Sequence, residues 1–406
     1  MSKIKKPIVT DDTAKQIVDK LHTQNLLLNV IADSAIETAG SLDEIHRIVQ
    51  SGNAAKVFNI GDQIIVPWKD KASNVTYQAP LDIVHFGNVT LQDGETVPAM
   101  FLQWHYCTPF GVQFDAREAF YVAPSGGLAA GTYTFNVPTA WSKILSGDYQ
   151  FTVAEDLAEG TLLVLKEAYV DVNTGLAGGI INVFANGMAT SPTTTITIST
   201  GSSGTSLGEF KAAGDTDLNS IQCANYGFNN WAKSAIRQWL NSDGAPEAWW
   251  SSKHAFDMRP AELATKHGFM SGFEDDFLAT LKPIKVDTAK NTVNEDGALE
   301  TTYDTFFLPA LVNLHVNPQL SGEGDIFEYW KRISQSSTPL AQYGTYPQMR
   351  VYAIENHSSP QHVRLRSANR GNAYYTWCVY SSGYVGSNYG YGATNSYRCA
   401  PVCAMC

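Results

Sequence analysis

The hydrophobic positions of the chain switch from a helical to a strand period near residue 59. Between residues 11 and 38, Ile17, Leu21, Leu28 and Ile31 recur at near-helical spacing behind Asp11 and Asp12 as capping candidates. Ser41-Leu42-Asp43-Glu44 is a capping box, so a second helix is expected to start there, bury Ile45, Ile48 and Val49, and stop at Gly52. Helices this short cannot bury an apolar stripe alone. Residues 1–57 are therefore expected to be a helical segment that docks on the rest of the protein or joins copies of it as an oligomerisation element.

From Asn59 onward alternation takes over. Gln63 to Trp68, Asp82 to Phe86 and Ala99 to Tyr106 read as strands, with a hairpin signal at Asp93-Gly94, giving a β region over 58–118. Thr132 to Val137, Tyr149 to Val153, Thr161 to Val170 and Thr193 to Thr200 are short strands separated by turn residues, Asn173-Thr174-Gly175 among them. That spacing predicts an antiparallel sandwich-like module over 119–207. The run Gly201-Ser202-Ser203-Gly204-Thr205-Ser206 has the composition of a flexible connection.

Beyond Gly208 the pattern is mixed. Phe228 to Ser242 reads as an amphipathic helix with Trp231, Ala235, Ile236 and Trp239 or Leu240 on one face; residues 260–268 and 273–282 are shorter helical candidates. Strand-like pieces follow at Thr305 to Leu308, Arg350 to Ile354 and His362 to Arg366. Eight of the nine tryptophans fall outside 119–207, which points to an α+β domain held by aromatic packing over irregular structure.

Charge and cysteine usage narrow the function classes. A net charge of −11 with scattered Lys and Arg repels a phosphate backbone, so neither nucleic acid nor an anionic membrane is expected as a partner. The basic start MSKIKK is not followed by a leader's apolar core, and the densest apolar run, Leu26 to Ala32, is too short to span a bilayer. Synthesis in the cytoplasm without a membrane anchor is the expectation. Six cysteines make no disulfide framework. Cys399, Cys403 and Cys406 lack the nearby histidine that would complete a zinc site, and free thiols are expected.

The stretch from Tyr374 to Tyr397 carries the functional signal. Its 24 positions hold seven of the nineteen tyrosines and no Asp, Glu, Lys, Arg, Leu, Ile or Pro. Tyrosine offers a large amphipathic contact area with two torsions to freeze, and Ser, Gly and Asn supply adaptable hydrogen bonds, as in an antibody paratope. Trp377 and Val379 alternate with Thr376, Cys378 and Tyr380, so one face of a strand is expected to be apolar and the other displayed. Ser381-Ser382-Gly383 then turns the chain, and Val385 returns to the buried side.

The block LRSANRGNAYYTWCVYSSGYVGSNYGYGATNSYRCAPVC, residues 365–403, resembles the variable region of proteins diversified by retroelements that mutate template adenines. The resemblance implies that Tyr374, Tyr375, Cys378, Tyr380, Tyr384, Gly386, Ser387, Asn388, Tyr389, Gly390, Tyr391, Thr394, Asn395 and Tyr397 are diversified, ligand-binding positions within a variable region 372–397. Leu365, Arg366, Ser367, Trp377, Val379, Val385, Arg398 and Pro401 would be fixed scaffold. It further implies a C-terminal C-type-lectin-like domain over 208–406, and allows a discontinuous one with its first strands in 58–118. The overall expectation is α+β: that domain, an all-β sandwich-like module and short N-terminal helices. By resemblance to phage tropism determinants, the chain is expected to be a virion receptor-binding protein, on the tail or surface and trimeric, that contacts other virion proteins and a host-cell surface protein or glycan.

Catalytic chemistry is less well supported. His105 and Cys107 share a predicted strand face, but aromatic neighbours make a packed strand the simpler reading. Glu274-Asp275-Asp276 reads as a solvated helix surface, and Gly322-Glu323-Gly324 lacks the third glycine of a dinucleotide loop. The variable stretch has no carboxylate for calcium-dependent sugar binding. No enzyme activity, cofactor or metal is expected. The competing readings are a phage structural or decoration protein without a receptor role and, more remotely, a cysteine-dependent enzyme of related fold.

Overall fold

The structure, a computed structural model, describes residues 20, 41–141, 144–167, 179–214, 218–346, 349, 351–387 and 392–406. Apart from Lys20, the first expected helix lies outside these residues, as does the turn at 173–175. The second helix forms over Leu42–Gln50, with the Ser41 hydroxyl accepting from the Glu44 amide at 3.4 Å. Its buried face of Ile45, Ile48 and Val49 packs on strand Thr96–Trp104 of the same chain. Beside it, His46 Nε2 meets the Cys406 carbonyl oxygen at 2.7 Å.

That strand belongs to a five-stranded sheet in the order Gln63–Ile65, Pro80–Thr90, Thr96–Trp104, Val402–Met405, Phe306–Phe307. Pro80–Thr90 and Thr96–Trp104 are the hairpin expected around Asp93-Gly94, where Gly94 takes a φ of +88° that favours a residue without Cβ. Val402–Met405 lies antiparallel between neighbours distant in sequence, Val402 facing Gln103 on one side and Phe307 on the other. The β region and the C-terminal region thus share one sheet. The eight tryptophans outside 119–207 are buried in one cluster on this sheet. Phe269 sits among them, with ring centroids 5.6, 5.3 and 5.2 Å from Trp68, Trp104 and Trp239. Such pairs add about 0.5–1.5 kcal/mol each beyond area burial.

The segment expected to be a sandwich is one seven-stranded sheet. Its order is Thr205–Glu209, Gly131–Val137, Gly147–Val153, Thr194–Thr200, Gly179–Phe184, Leu162–Glu167, Tyr121–Val122. Alternating residues from both edges and the middle, including Tyr121, Phe135, Phe151, Leu163, Ile181, Ile198 and Leu207, meet in a single core, so the sheet curls around one face. Three of its strands were not anticipated, the short edge strand Tyr121–Val122 among them. Gly179–Phe184 falls between the expected turn at 173–175 and the expected strand at 193–200, and Thr205–Glu209 pairs parallel with Gly131–Val137 where a flexible connection was expected. Gly204, at a φ of +159°, lets the chain pass so close to the Thr132 carbonyl that a Cβ would sit 2.4 Å from that oxygen. The glycines of this run permit a close crossing rather than slack.

The long helix expected over 228–242 is also corrected. Only Ala235–Leu240 is helical there, capped by Ser234, whose hydroxyl accepts from the Arg237 amide. Upstream, Trp231 Nε1 donates to buried Asp304 at 2.9 Å and Asn230 donates to Glu295 and Glu300, so tertiary partners hold this stretch out of the helix. Candidates 260–268 and 273–282 shrink to the single turns Ala261–Ala264 and Asp275–Leu278. The described chain is β-rich, with short helices applied to its sheets.

Deleting residues 402–406 removes an interior strand of the five-stranded sheet and exposes the edge of Thr96–Trp104. The shortened chain is expected to lose its cooperative thermal transition, followed by circular dichroism; an unchanged transition would contradict this topology.

Candidate recognition surface

The tyrosine-rich stretch folds onto a four-stranded sheet in the order Gly344–Thr345, Tyr384–Gly386, Thr376–Val379, Val363–Ala368. The expected turn is present. The Gly383 amide donates to the Tyr380 carbonyl at 2.9 Å and the Tyr380 amide to the Tyr384 carbonyl at 2.8 Å, with Gly383 at a φ of +77°. Trp377, Val379 and Val385 are fully buried beneath it, in the main core.

The opposite face of that strand is not displayed, contrary to the alternation argument. Thr376 and Cys378 are as buried as Trp377 because a second layer covers them. That layer is the returning loop 392–397, held down by Arg364. The Arg364 guanidinium, completely buried, donates to Thr376 Oγ1, to the Gly392 carbonyl at 3.1 Å and to the Asn395 carbonyl at 2.8 Å. The rings of Tyr397 and Phe114 lie 5.1 and 5.8 Å from its carbon. Arg366, two residues on, is spent on the scaffold: it donates to the Leu308 carbonyl and Asn313 Oδ1, both at 2.8 Å, and to the Glu323 carbonyl. Glu323, from the Gly-Glu-Gly sequence, also accepts from the Ser367 hydroxyl at 2.9 Å. That segment therefore serves the core.

Two ring groups remain half-exposed on this support. In one, Tyr374 stacks on Tyr226 at 5.0 Å and 27°, meets Trp141 edge-on at 5.6 Å and touches Tyr375 at 4.0 Å. In the other, Tyr380 lies 4.9 Å from Tyr384, while His362 sits edge-on to Tyr380 at 5.4 Å and to Tyr397 at 5.5 Å. Burial lowers the His362 pKa, and its Nδ1 accepts from the Ser381 amide at 3.0 Å, so it takes part as a neutral ring. Trp141, Tyr226 and His362 escaped the sequence reading because single aromatics distant in sequence carry no local signal.

The other expected contact positions divide. Cys378, Gly386 and Ser387 are buried and are corrected to support roles. Ser387 Oγ meets Tyr343 Oη at 2.9 Å and accepts from Asn369 Nδ2 at 2.7 Å. A Cβ on Gly386 would lie 2.4 Å from the Tyr384 ring, so a bare backbone at 386 is what lets that ring lie flat. Thr394 and Asn395 are half-buried, and their carbonyls accept from Gln113 and Arg364. Asn388, Tyr389, Gly390 and Tyr391 lie outside the described residues.

The rival chemistry finds little support in the thiols. All six cysteines are buried and free. Burial pushes Cys107 and Cys399 up to about 12 and Cys378 up to about 11, which holds them protonated and unreactive. The strand ends at Trp104, and His105 turns to Asp82, 3.0 Å away, instead of to Cys107. Among the described residues one group brings metal-ligand atoms together: Asp115, Glu118, His254 and Asp257, within 4.8 Å of one another. Its sequence signal is two i, i+3 pairs, Asp-x-x-Glu and His-x-x-Asp, weak separately and far apart. No helix among the described residues is long and apolar enough to cross a membrane.

Replacing Arg364 by Met leaves the Gly392 and Asn395 carbonyls without their donor and is expected to cost about 3 kcal/mol or more in urea unfolding. Tyr384→Ala, at a half-exposed ring, is expected to cost less than about 1 kcal/mol; equal costs would contradict the division between support and surface. Residues 210–403 match the family model described as a domain of unknown function (DUF6273). No curated protein and no solved structure matches the chain.

Proposed function

We propose that this chain is a receptor-binding protein whose C-terminal region, a C-type-lectin-like domain, presents a diversified Tyr/Ser/Gly/Asn surface to a host-cell protein or glycan, as a phage attachment protein does. The observation that carries the reading is the separation of roles. Tyr374, Tyr375, Tyr380, Tyr384 and Tyr397 keep part of their rings at the surface, while Arg364, Trp377, Val379 and Val385 beneath them are fully buried. A position free to change must lie outside the packed layer, since core sites respond to a single methylene. Five tyrosines meet that condition. The sheet shared by residues 80–104, 306–307 and 402–405 favours a lectin-like domain assembled from both sides of the seven-stranded module.

In this reading the mechanism is binding energetics. A few ring anchors contribute about 2 kcal/mol or more each on truncation, with smaller residues shaping the surround. Several copies on one particle, such as a trimer within a virion, raise weak single contacts by about 10²–10⁴ through avidity.

Sequencing this gene across a population from one source tests the proposal. Substitutions are expected to concentrate at the half-exposed ring positions and at 388–391, to spare Arg364, Trp377, Val379 and Val385, and to trace to adenines in a nearby template repeat beside a reverse transcriptase. An even scatter with no such repeat would overturn it in favour of a structural protein of the particle. In parallel, Tyr380, Tyr384 and Tyr397 replaced together by Ala are expected to abolish attachment to host cells while shifting the melting temperature by only a few degrees.

A further inference from the structure

Asp115 and Glu118 lie just before the seven-stranded sheet, and His254 and Asp257 on a turn packed against them. The Ala119 amide donates to the Phe256 carbonyl at 2.9 Å, which sets the two segments side by side. The three carboxylates are buried, and the His254 side chain is only 22% exposed.

Glu118 and Asp257 are each held by one oxygen and turn the other to His254. Glu118 Oε2 accepts from Asn219 Nδ2, and Asp257 Oδ2 accepts from the backbone amides of Lys253 and His254. The free oxygens, Glu118 Oε1 and Asp257 Oδ1, approach His254 Nε2 at 2.7 and 2.6 Å. Glu118 Oε1, Asp257 Oδ1 and His254 Nε2 are buried together, with no hydrogen-bond partner outside this group. Around a shared ion with bonds of about 2.0–2.2 Å, neighbouring ligand atoms stand about 3–3.5 Å apart, a small outward shift from these separations. His254 Nδ1 accepts from the Phe256 amide at 3.4 Å, a contact that an ion on Nε2 would replace, since Nδ1 would then carry the ring proton.

Burial, then Asp257 and Glu118, push the Asp115 carboxyl well above the usual range. At His254 burial works against the charged ring, but Glu118 and Asp257 outweigh it and raise the imidazole to about 11. A metal ion there would displace the proton from His254, since a ligating imidazole is neutral, so the geometry and not the titration carries the site.

We propose that Asp115, Glu118, His254 and Asp257 bind one divalent transition-metal ion of the Zn²⁺ or Mn²⁺ kind, as a structural site beneath the recognition surface. The ligand set of three carboxylates and one imidazole fits those ions better than Ca²⁺, which takes oxygens alone, or Mg²⁺, which keeps its waters. The ion would pin the entry to the seven-stranded sheet to the turn at 254–257. It would also steady the loop above, since the Asp115 amide donates to the Ala393 carbonyl at 3.1 Å and the Thr394 amide to the Tyr226 carbonyl at 3.0 Å.

The test is titration calorimetry of the full chain, freed of metal by chelator, with Zn²⁺, Mn²⁺, Ca²⁺ and Mg²⁺ in turn, and a thermal melt with each. One Zn²⁺ or Mn²⁺ per chain, a raised melting temperature, and slower amide exchange at Asp115 and Thr394 are expected. Asn219→Ala, which frees only the outer oxygen of Glu118, should weaken binding about 10–100-fold. Glu118→Gln should abolish binding while the metal-free protein still melts cooperatively. No ion bound, Ca²⁺ or Mg²⁺ alone bound, or binding untouched by both variants would each overturn the proposal.

Discussion

A guanidinium buried out of reach of water must be met by hydrogen bonds wherever it lies, and Arg364 imposes that constraint on the whole C-terminal segment. Its partners are a side chain from strand Thr376–Val379 and two carbonyls from the returning loop 392–395. Because carbonyls accept whatever side chains their residues carry, the loop is anchored by its backbone. Anchoring of this kind tolerates changes in residue type. It explains how residues 392–397, low in branched apolar side chains, are held on the fold above buried Trp377, Val379 and Val385.

The layers beneath extend the same logic. Arg366 and Glu323 tie the strand under the surface to the segments around Leu308 and Asn313, and Val402–Met405 threads the chain's end between Thr96–Trp104 and Phe306–Phe307. The seven-stranded sheet is closed around its own core, yet it delivers Trp141 to the ring group of Tyr226 and Tyr374. The surface therefore draws on both sheets. In the reading proposed here, residues outside the variable stretch frame it and residues within it vary.

Local signals were legible where local physics decides the outcome. The Ser41 capping box, the Asp93-Gly94 hairpin and the turn at Ser381-Ser382-Gly383 each depend on neighbours a few residues away. Alternation identified Trp377, Val379 and Val385 as buried but mistook Thr376 and Cys378 for displayed, because the layer that covers them arrives through Arg364 and the loop at 392–397. The expected helix over 228–242 failed for a similar reason, Asn230 and Trp231 being drawn to acids at 295, 300 and 304. The convergence of Asp115, Glu118, His254 and Asp257 was invisible for want of any contact between their neighbourhoods in sequence.

The central claim is that support and display are carried by different residues of one short segment. A saturation substitution scan of positions 364–397, read by resistance to proteolysis, measures this directly. The account predicts broad tolerance at Tyr374, Tyr375, Tyr380, Tyr384 and Tyr397, and sharp intolerance at Arg364, Trp377, Val379 and Val385. Tyrosines as intolerant as Trp377, or tolerance spread evenly along the segment, would contradict it.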